Sequence, residues 1–254
     1  LQSGGSRNID LGKELVTHPA IAGVGFTGSR GGGLALAALA AARPTPIPVF
    51  AEMGSANIAL IASHAGAARA EQIADQLATA ILSSSGQQCT KPGQLIVPVG
   101  EVYERVLGVL KRRFERWKPR PLLGATVAKG YATRLAEVAG DGEGHLSLWQ
   151  PPFPASLSRR HDLMPRPAII TRHDLAAGTT PHPAGVEEIF GPAVMISAVP
   201  DPLADVAALL AGPRRALEPC LAISLYADEE DLAREDAGKA VLALTRHTGR
   251  LVFN

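Results

Sequence analysis

Short apolar runs alternate along this chain with longer segments whose apolar residues recur at helical spacing, and that alternation restricts the possible folds. Ile21 to Phe26, Ile47 to Glu52, Leu95 to Val99, Ala168 to Thr171, Ala193 to Ala198, Cys220 to Tyr226 and Leu251 to Phe253 read as strands. Between them, Arg30 to Ala42, a segment from Ala65 carrying Ile73, Leu77 and Ile81, Glu101 to about Trp117, Pro202 to Ala211 and Asp228 to about Thr245 read as helices. Strands joined through helices are parallel neighbours, because a hairpin turn cannot make that connection. The expected fold is therefore α/β with a mostly parallel sheet. Its 254 residues, 46% of them hydrophobic, suffice for a sizeable core. Two segments fall outside the alternation. Asp10 is placed to cap a short helix through Val16 that His18-Pro19 ends, and the Gly-, Pro- and Ser-rich stretch from Gly140 to Pro165 reads as long loops.

Several function classes are excluded. A net charge of +1 gives no global field towards nucleic acid or an acidic membrane. The local basic stretch Lys111-Arg112-Arg113, with Arg116, Lys118 and Arg120, lies opposite Val102, Val106, Val109, Leu110 and Phe114 at helical spacing, and so reads as a solvated helix face. The longest apolar run, Leu34 to Ala42, is too short to cross a bilayer. The opening Leu1-Gln2-Ser3-Gly4-Gly5 has no basic or apolar leader region and reads as a cut end. Two cysteines, Cys89 and Cys220, form no disulfide framework and suit a reducing, cytoplasmic setting. His161, His173 and His182 have no metal-ligand spacing, so no metal is expected.

Four short boxes carry the chemistry. Gly25-Phe26-Thr27-Gly28-Ser29 has small residues between a strand and a helix, where Gly28 and Ser29 can offer backbone N–H groups to a phosphate. Phe50-Ala51-Glu52-Met53-Gly54 ends an apolar strand with a carboxylate. Such strands are usually buried on both faces, so Glu52 is expected to be buried, with its pKa raised towards that of a base working at neutral pH. Gly86-Gln87-Gln88-Cys89-Thr90 puts a thiol on a polar loop just past a helix, whereas Cys220, inside an apolar strand, reads as a small core residue. Glu187-Glu188-Ile189-Phe190-Gly191-Pro192 is the fourth.

In this order the four boxes resemble the aldehyde dehydrogenase superfamily. The resemblance implies that Cys89 attacks the aldehyde carbonyl, that Glu52 activates the water that hydrolyses the thioester, and that NAD or NADP is the cofactor. Within that implied site Gly28 and Ser29 face the cofactor pyrophosphate, Glu188 bonds the nicotinamide ribose and Phe190 packs beside it, while Glu187 is a solvated charge. Met53-Gly54-Ser55-Ala56-Asn57 and Thr90-Lys91-Pro92-Gly93 are similar to the branch acting on α-ketoglutaric semialdehyde and related fatty aldehydes. Lys91 replaces that branch's asparagine and Gln88 its usual aromatic residue, and both departures bear on substrate preference. Family members are considerably longer. The resemblance therefore implies a chain holding the tail of a Rossmann-like cofactor domain in residues 1–52 and a catalytic domain in residues 53–254, from a protein that oligomerises with its own kind at full length. With only the Cys89 backbone N–H in the oxyanion hole, such a chain loses about 3 to 4 kcal/mol of transition-state stabilisation. Two other uses of the same residues stay open: ester cleavage or acyl transfer by the thiol without a nicotinamide, and a catalytically silent domain that associates with another chain.

Overall fold

A computed structural model describes residues 6–54, 56–141, 144–152, 163–173, 175, 188–211, 217 and 220–254. The chain divides into two compact units, Leu1–Gly54 and Ser55–Asn254.

The first unit runs α1 (Ser6–Thr17), β1 (Val24–Gly28), α2 (Arg30–Ala41) and β2 (Val49–Met53). β1 and β2 are a parallel pair in which Thr27 stands beside Glu52. Ser29 is the N-cap of α2, its side chain accepting the Gly32 N–H at 3.3 Å. The Arg43 guanidinium donates to the carbonyls of Val16, His18 and Ile21, fastening the end of α1 to the chain that leads into β1. Asp10 lies inside α1 and caps nothing, since the helix begins at Ser6.

The second unit is a seven-stranded sheet in the order β5-β6-β7-β4-β3-β8-β9. Its strands are β3 (Asn57–Ile61), β4 (Pro92–Pro98), β5 (Leu146–Trp149), β6 (Ala168–Arg172), β7 (Ala193–Val199), β8 (Cys220–Tyr226) and β9 (Thr248–Phe253). Every pairing is parallel except β5 with β6. Helices α3 (Ser63–Leu82) and α4 (Glu101–Arg116) cover one face, where Ile73, Leu77, Ile81, Val106, Leu110 and Phe114 pack on Ile61, Leu95 and Val97. Helices α6 (Pro202–Ala211) and α8 (Ala237–Thr245) cover the other, where Leu203, Val206, Ala240 and Leu244 pack on Ile58, Leu60, Ile96 and Ile223. With both faces covered, the central strands need no polar alternation, and all five residues of β3 are buried. A third cluster joins α5 (Ala125–Ala139), through Tyr131, Leu135 and Val138, to Ala168, Ile170 and Met195. The first residues of α3 lack a cap of their own, and the buried Asp231, in the short helix α7 (Glu229–Leu232), supplies one: its carboxylate accepts the His64 and Ala65 N–H groups at 2.9 Å each.

Most expected elements are present within a few residues, and the mostly parallel α/β sheet stands as predicted. The differences have local causes. The expected strand at Ile21 begins three residues later at Val24. β3 is an unexpected central strand, hidden in sequence because its apolar residues run into the alanine-rich start of α3. β5 interrupts the stretch expected to be loops. The single helix expected from Asp228 to Thr245 is two, parted around Arg234, whose guanidinium binds Asp201 at 2.5 Å and Asp236 at 2.8 Å. Val106, Val109, Leu110 and Phe114 of α4 are buried as expected, but of Lys111, Arg112 and Arg113 only Arg112 is exposed: half-buried Lys111 lies over the Trp149 ring and half-buried Arg113 binds Asp75 and Thr79 of α3. Among the described residues no helix is long and apolar enough to cross a membrane.

Candidate active site

Two of the four sequence boxes, with Asn57 between the second and third boxes in sequence, meet the large sheet at one end. Asn57 opens β3, Cys89 lies three residues before β4, and Glu188 to Phe190 lie just before β7. Because β7, β4 and β3 are adjacent and parallel, their starting ends are neighbours, so residues 89 and 188 come to the same edge despite their separation in sequence.

The loop that carries Cys89 leaves α3 through a left-handed turn. Ser84, Ser85 and Gly86 have φ of 50°, 56° and 68°, a run that ordinary side chains adopt at a cost and that persists only when the surroundings hold it. The Ser85 hydroxyl donates to the Arg120 carbonyl at 2.9 Å. Gln87 donates to the Ser84 carbonyl at 3.0 Å and accepts the Leu123 N–H at 2.7 Å. At Gly86 an added Cβ would stand 2.0 Å from the Gly191 carbonyl oxygen, so only glycine lets this backbone touch the Gly191-Pro192 backbone. Gly191, at φ 153°, lies in turn against the Tyr131 ring, where a Cβ would meet Cδ2 at 2.3 Å. Tyr131 donates to the Arg166 carbonyl at 2.7 Å, and burial pushes its phenol pKa up.

Two buried side chains fasten the loop further. Asn57 Nδ2 donates to the Cys89 carbonyl at 2.7 Å and to the Lys91 carbonyl at 3.1 Å, while its Oδ1 accepts the Ala222 N–H of β8 at 2.9 Å. Lys91 turns away from solvent, and its Nζ donates to the Ile189 carbonyl at 3.0 Å and the Ala193 carbonyl at 2.8 Å. Burial lowers the Lys91 pKa to about 8, against the pull of the Glu188 carboxylate. Lys91 was expected to bear on substrate preference; being 2% exposed and bonded inward, it bears on the Glu188-Ile189-Phe190 segment instead. Gln88 is exposed, with its amide 3.4 Å from the Ser84 hydroxyl. Cys89 is a free, exposed thiol; Cys220 is buried, and burial raises its pKa.

Glu188 and Phe190 are half-buried on either side of the buried Ile189, whereas Glu187 lies outside the described residues. In the second unit the structure thus brings together Cys89, Glu188 and Phe190. In the first unit it brings together Gly28, Ser29 and Glu52, at the carboxyl ends of β1 and β2. Glu52 is exposed, contrary to the burial expected of it. Among the described residues β2 has a single strand partner, β1, and Phe50 and Glu52 alternate outward while Val49, Ala51 and Met53 are half-buried. Asn57 had not been singled out; its signal was a lone amide opening the apolar run Ile58 to Ile61. Among the described residues no three His, Cys, Asp or Glu side chains gather as a metal site would require. His161 and His182 lie outside those residues, and the exposed His173 faces the Ser147 hydroxyl at 3.3 Å.

Sequence comparison supplies the family of this doubly covered, mostly parallel sheet. The chain belongs to the aldehyde dehydrogenase family, whose sequence pattern matches residues 5–208. It is 33% identical over 245 residues to the α-ketoglutaric semialdehyde dehydrogenase of Acinetobacter baylyi and 34% identical over 248 residues to α-ketoglutaric semialdehyde dehydrogenase 2 of Azospirillum brasilense. Each alignment covers 96% of this chain and 44% of the relative, so the chain spans less than half the length of either. In fold it is similar to the NADP-dependent glyceraldehyde-3-phosphate dehydrogenase of Bacillus halodurans, solved with NADP, with a TM-score of 0.70 at 20% identity over 99% of this chain and 47% of that one.

Proposed function

We propose that these residues serve the oxidation of an aldehyde to its acid with NAD or NADP, the substrate being a semialdehyde such as α-ketoglutaric semialdehyde. The observation that carries this reading is the packing of the Cys89 loop against the Glu188-to-Gly191 segment, backbone to backbone at Gly86. The two named relatives support the substrate class.

The residues present fit a nicotinamide cofactor. At Gly25 an added Cβ would meet nothing within 4 Å, and this open position lines, with Thr27, Phe50 and Glu52, a shallow groove along β1 and β2. Gly28 and Ser29 follow, at the start of α2, where backbone N–H groups and the helix dipole favour a pyrophosphate. Glu188 would accept from the nicotinamide ribose and Phe190 would pack beside the ring. The bound cofactor supplies the hydride acceptor. The chain's own residues do the rest. The Cys89 thiolate adds to the carbonyl carbon to give a thiohemiacetal, whose oxidation leaves a thioester. Glu52 takes a proton from water, which attacks the thioester carbon and releases the acid and the free thiol. Exposed Gln88 beside the nucleophile favours a polar aldehyde, so Gln88→Phe should shift relative rates towards long-chain aldehydes. Equal relative rates would remove Gln88 from the specificity argument.

The charge balance names no nucleic-acid partner, and the free thiols suit a reducing compartment. Homo-oligomerisation belongs to the full-length protein in this reading, and turnover by this chain alone is expected to be weak. The test is NAD(P)H formation from a panel of aldehydes with Cys89→Ala as control. Signal that needs Cys89, aldehyde and NAD(P)+ supports the reading, whereas ester cleavage indifferent to NAD(P)+ favours the hydrolytic use of the thiol.

A further inference from the structure

We propose that Lys91 is a positioning residue that locks the nucleophile loop to the Glu188–Phe190 segment, so that thiol and cofactor clamp keep one register. The geometry is specific. The Lys91 N–H closes the loop on the Gln88 carbonyl at 3.1 Å, and Asn57 holds the Lys91 carbonyl from the β3 side. From that fixed backbone the side chain crosses to the next strand's approach and bonds two carbonyls, Ile189 and Ala193, that bracket Phe190, Gly191 and Pro192. Glu188 lies on the same small cavity as the Lys91 stem, with Gln94 and Met195, and its charge faces the ammonium. A buried ammonium is costly, and a residue needed only as a spacer would be apolar or short; the charge is retained where it can fix backbone carbonyls in place. The loop thus touches the clamp segment at two points, Gly86 on Gly191 and Lys91 on Ile189 and Ala193.

The naming of Glu188 and Phe190 as the cofactor clamp rests on the proposed function, but the tie itself does not, and the experiment separates them. Amide hydrogen exchange is measured on the 254-residue chain and on Lys91→Met. Two amides report on the segment: Ala193, bonded to the Gly191 carbonyl at 2.8 Å, and Ala168, bonded to the Pro192 carbonyl at 3.0 Å. Two report on the far side of the sheet: Ala62, bonded to Tyr226, and Cys220, bonded to His247. The expectation is exchange faster by about tenfold or more at Ala193 and Ala168, with Ala62 and Cys220 unchanged. Lys91→Gln, which keeps a donor on a shorter stem, should fall between. Equal change at all four amides, or none, overturns the tie. Should Lys91→Met not fold, Lys91→Gln and the wild-type chain decide: the Lys91 Nζ protons should exchange far more slowly than those of exposed lysines, and equal exchange overturns the proposal. In the turnover assay Lys91→Met should raise the KM for NAD(P)+ more than it lowers kcat. An unchanged KM for NAD(P)+ in Lys91→Met overturns the clamp reading, while hydrogen exchange decides the tie without any turnover.

Discussion

Glu52 and Cys89, the two residues assigned the bond-making chemistry, are held in contrasting ways. Glu52 sits on a strand with one partner, and its neighbour Phe50 is 73% exposed. Cys89 is also exposed, but its backbone is gripped by Asn57, its loop by Lys91, and its approach by a left-handed turn fitted against Gly191. Exposure of a reactive side chain therefore says little about how firmly it is placed. In the second unit the rigidity is supplied by buried polar groups that bond backbone, each of which is expensive to leave unpaired. In the first, the carboxylate is placed by the β1–β2 register and by the packing of Gly33 of α2 on Ala51 and Met53.

This contrast can be broken by substitution, and the largest effect should come at Gly86. Gly86→Ala adds a Cβ into the Gly191 backbone at a left-handed φ and should cost about 3 kcal/mol or more, read as a lowered urea midpoint by Trp117 and Trp149 fluorescence. Gly25→Ala, in open space, should be neutral or stabilise by about 0.5 to 1 kcal/mol. Comparable losses at both positions would dissolve the distinction between the regions. Next in size is Asn57→Ala, which strips partners from the Cys89, Lys91 and Ala222 backbone groups and should cost about 2 to 3 kcal/mol. It should also change the rate at which iodoacetamide alkylates Cys89, and an unchanged rate would show that Asn57 does not set the loop.

Asp231 tests the frame behind the loop. Burial opposes its ionisation, but the His64, Ala65 and Asp228 N–H groups outweigh that and hold its pKa below the ordinary Asp value. Its stabilisation is therefore fully present above the unfolded Asp pKa and is lost as pH falls through the lower folded value. Asp231→Ala should cost about 1 to 2 kcal/mol at neutral pH, and its stability should fall less steeply with acid than that of the wild type. Parallel acid profiles would take Asp231 out of the linkage. The smallest structural effect belongs to Glu52→Gln, within about 0.5 kcal/mol of wild type as befits an exposed side chain, although it should stop thioester hydrolysis.

Much of this was legible in the sequence because the alternation of strand and helix leaves a period-based trace. Cys220 to Tyr226 and Pro202 to Ala211 coincide with β8 and α6. β3 was illegible because a strand buried on both faces has no alternation, and its apolar run merges with the alanines of α3. α5 could have been found from Tyr131, Leu135 and Val138, which fall at helical spacing. At the site, the identity of Cys89, Glu188 and Phe190 could be read from local motifs, but the partners of Lys91 could not. Its acceptors lie 98 and 102 residues away and are backbone carbonyls, which carry no sequence signature at all. The exposure of Glu52 is hidden for a related reason: an apolar strand is expected to be covered on both faces, and what covers a face is a property of tertiary packing.

The most direct test of the central claim is acid-quenched intact-mass and peptide analysis of the chain after mixing with a semialdehyde and NAD(P)+. A single turnover suffices, so even a weak enzyme registers. The account predicts an acyl group on Cys89 that requires NAD(P)+, is absent in Cys89→Ala and accumulates in Glu52→Gln. No NAD(P)-dependent adduct, or one equally abundant in wild type and Glu52→Gln, would contradict the assignment of nucleophile and base.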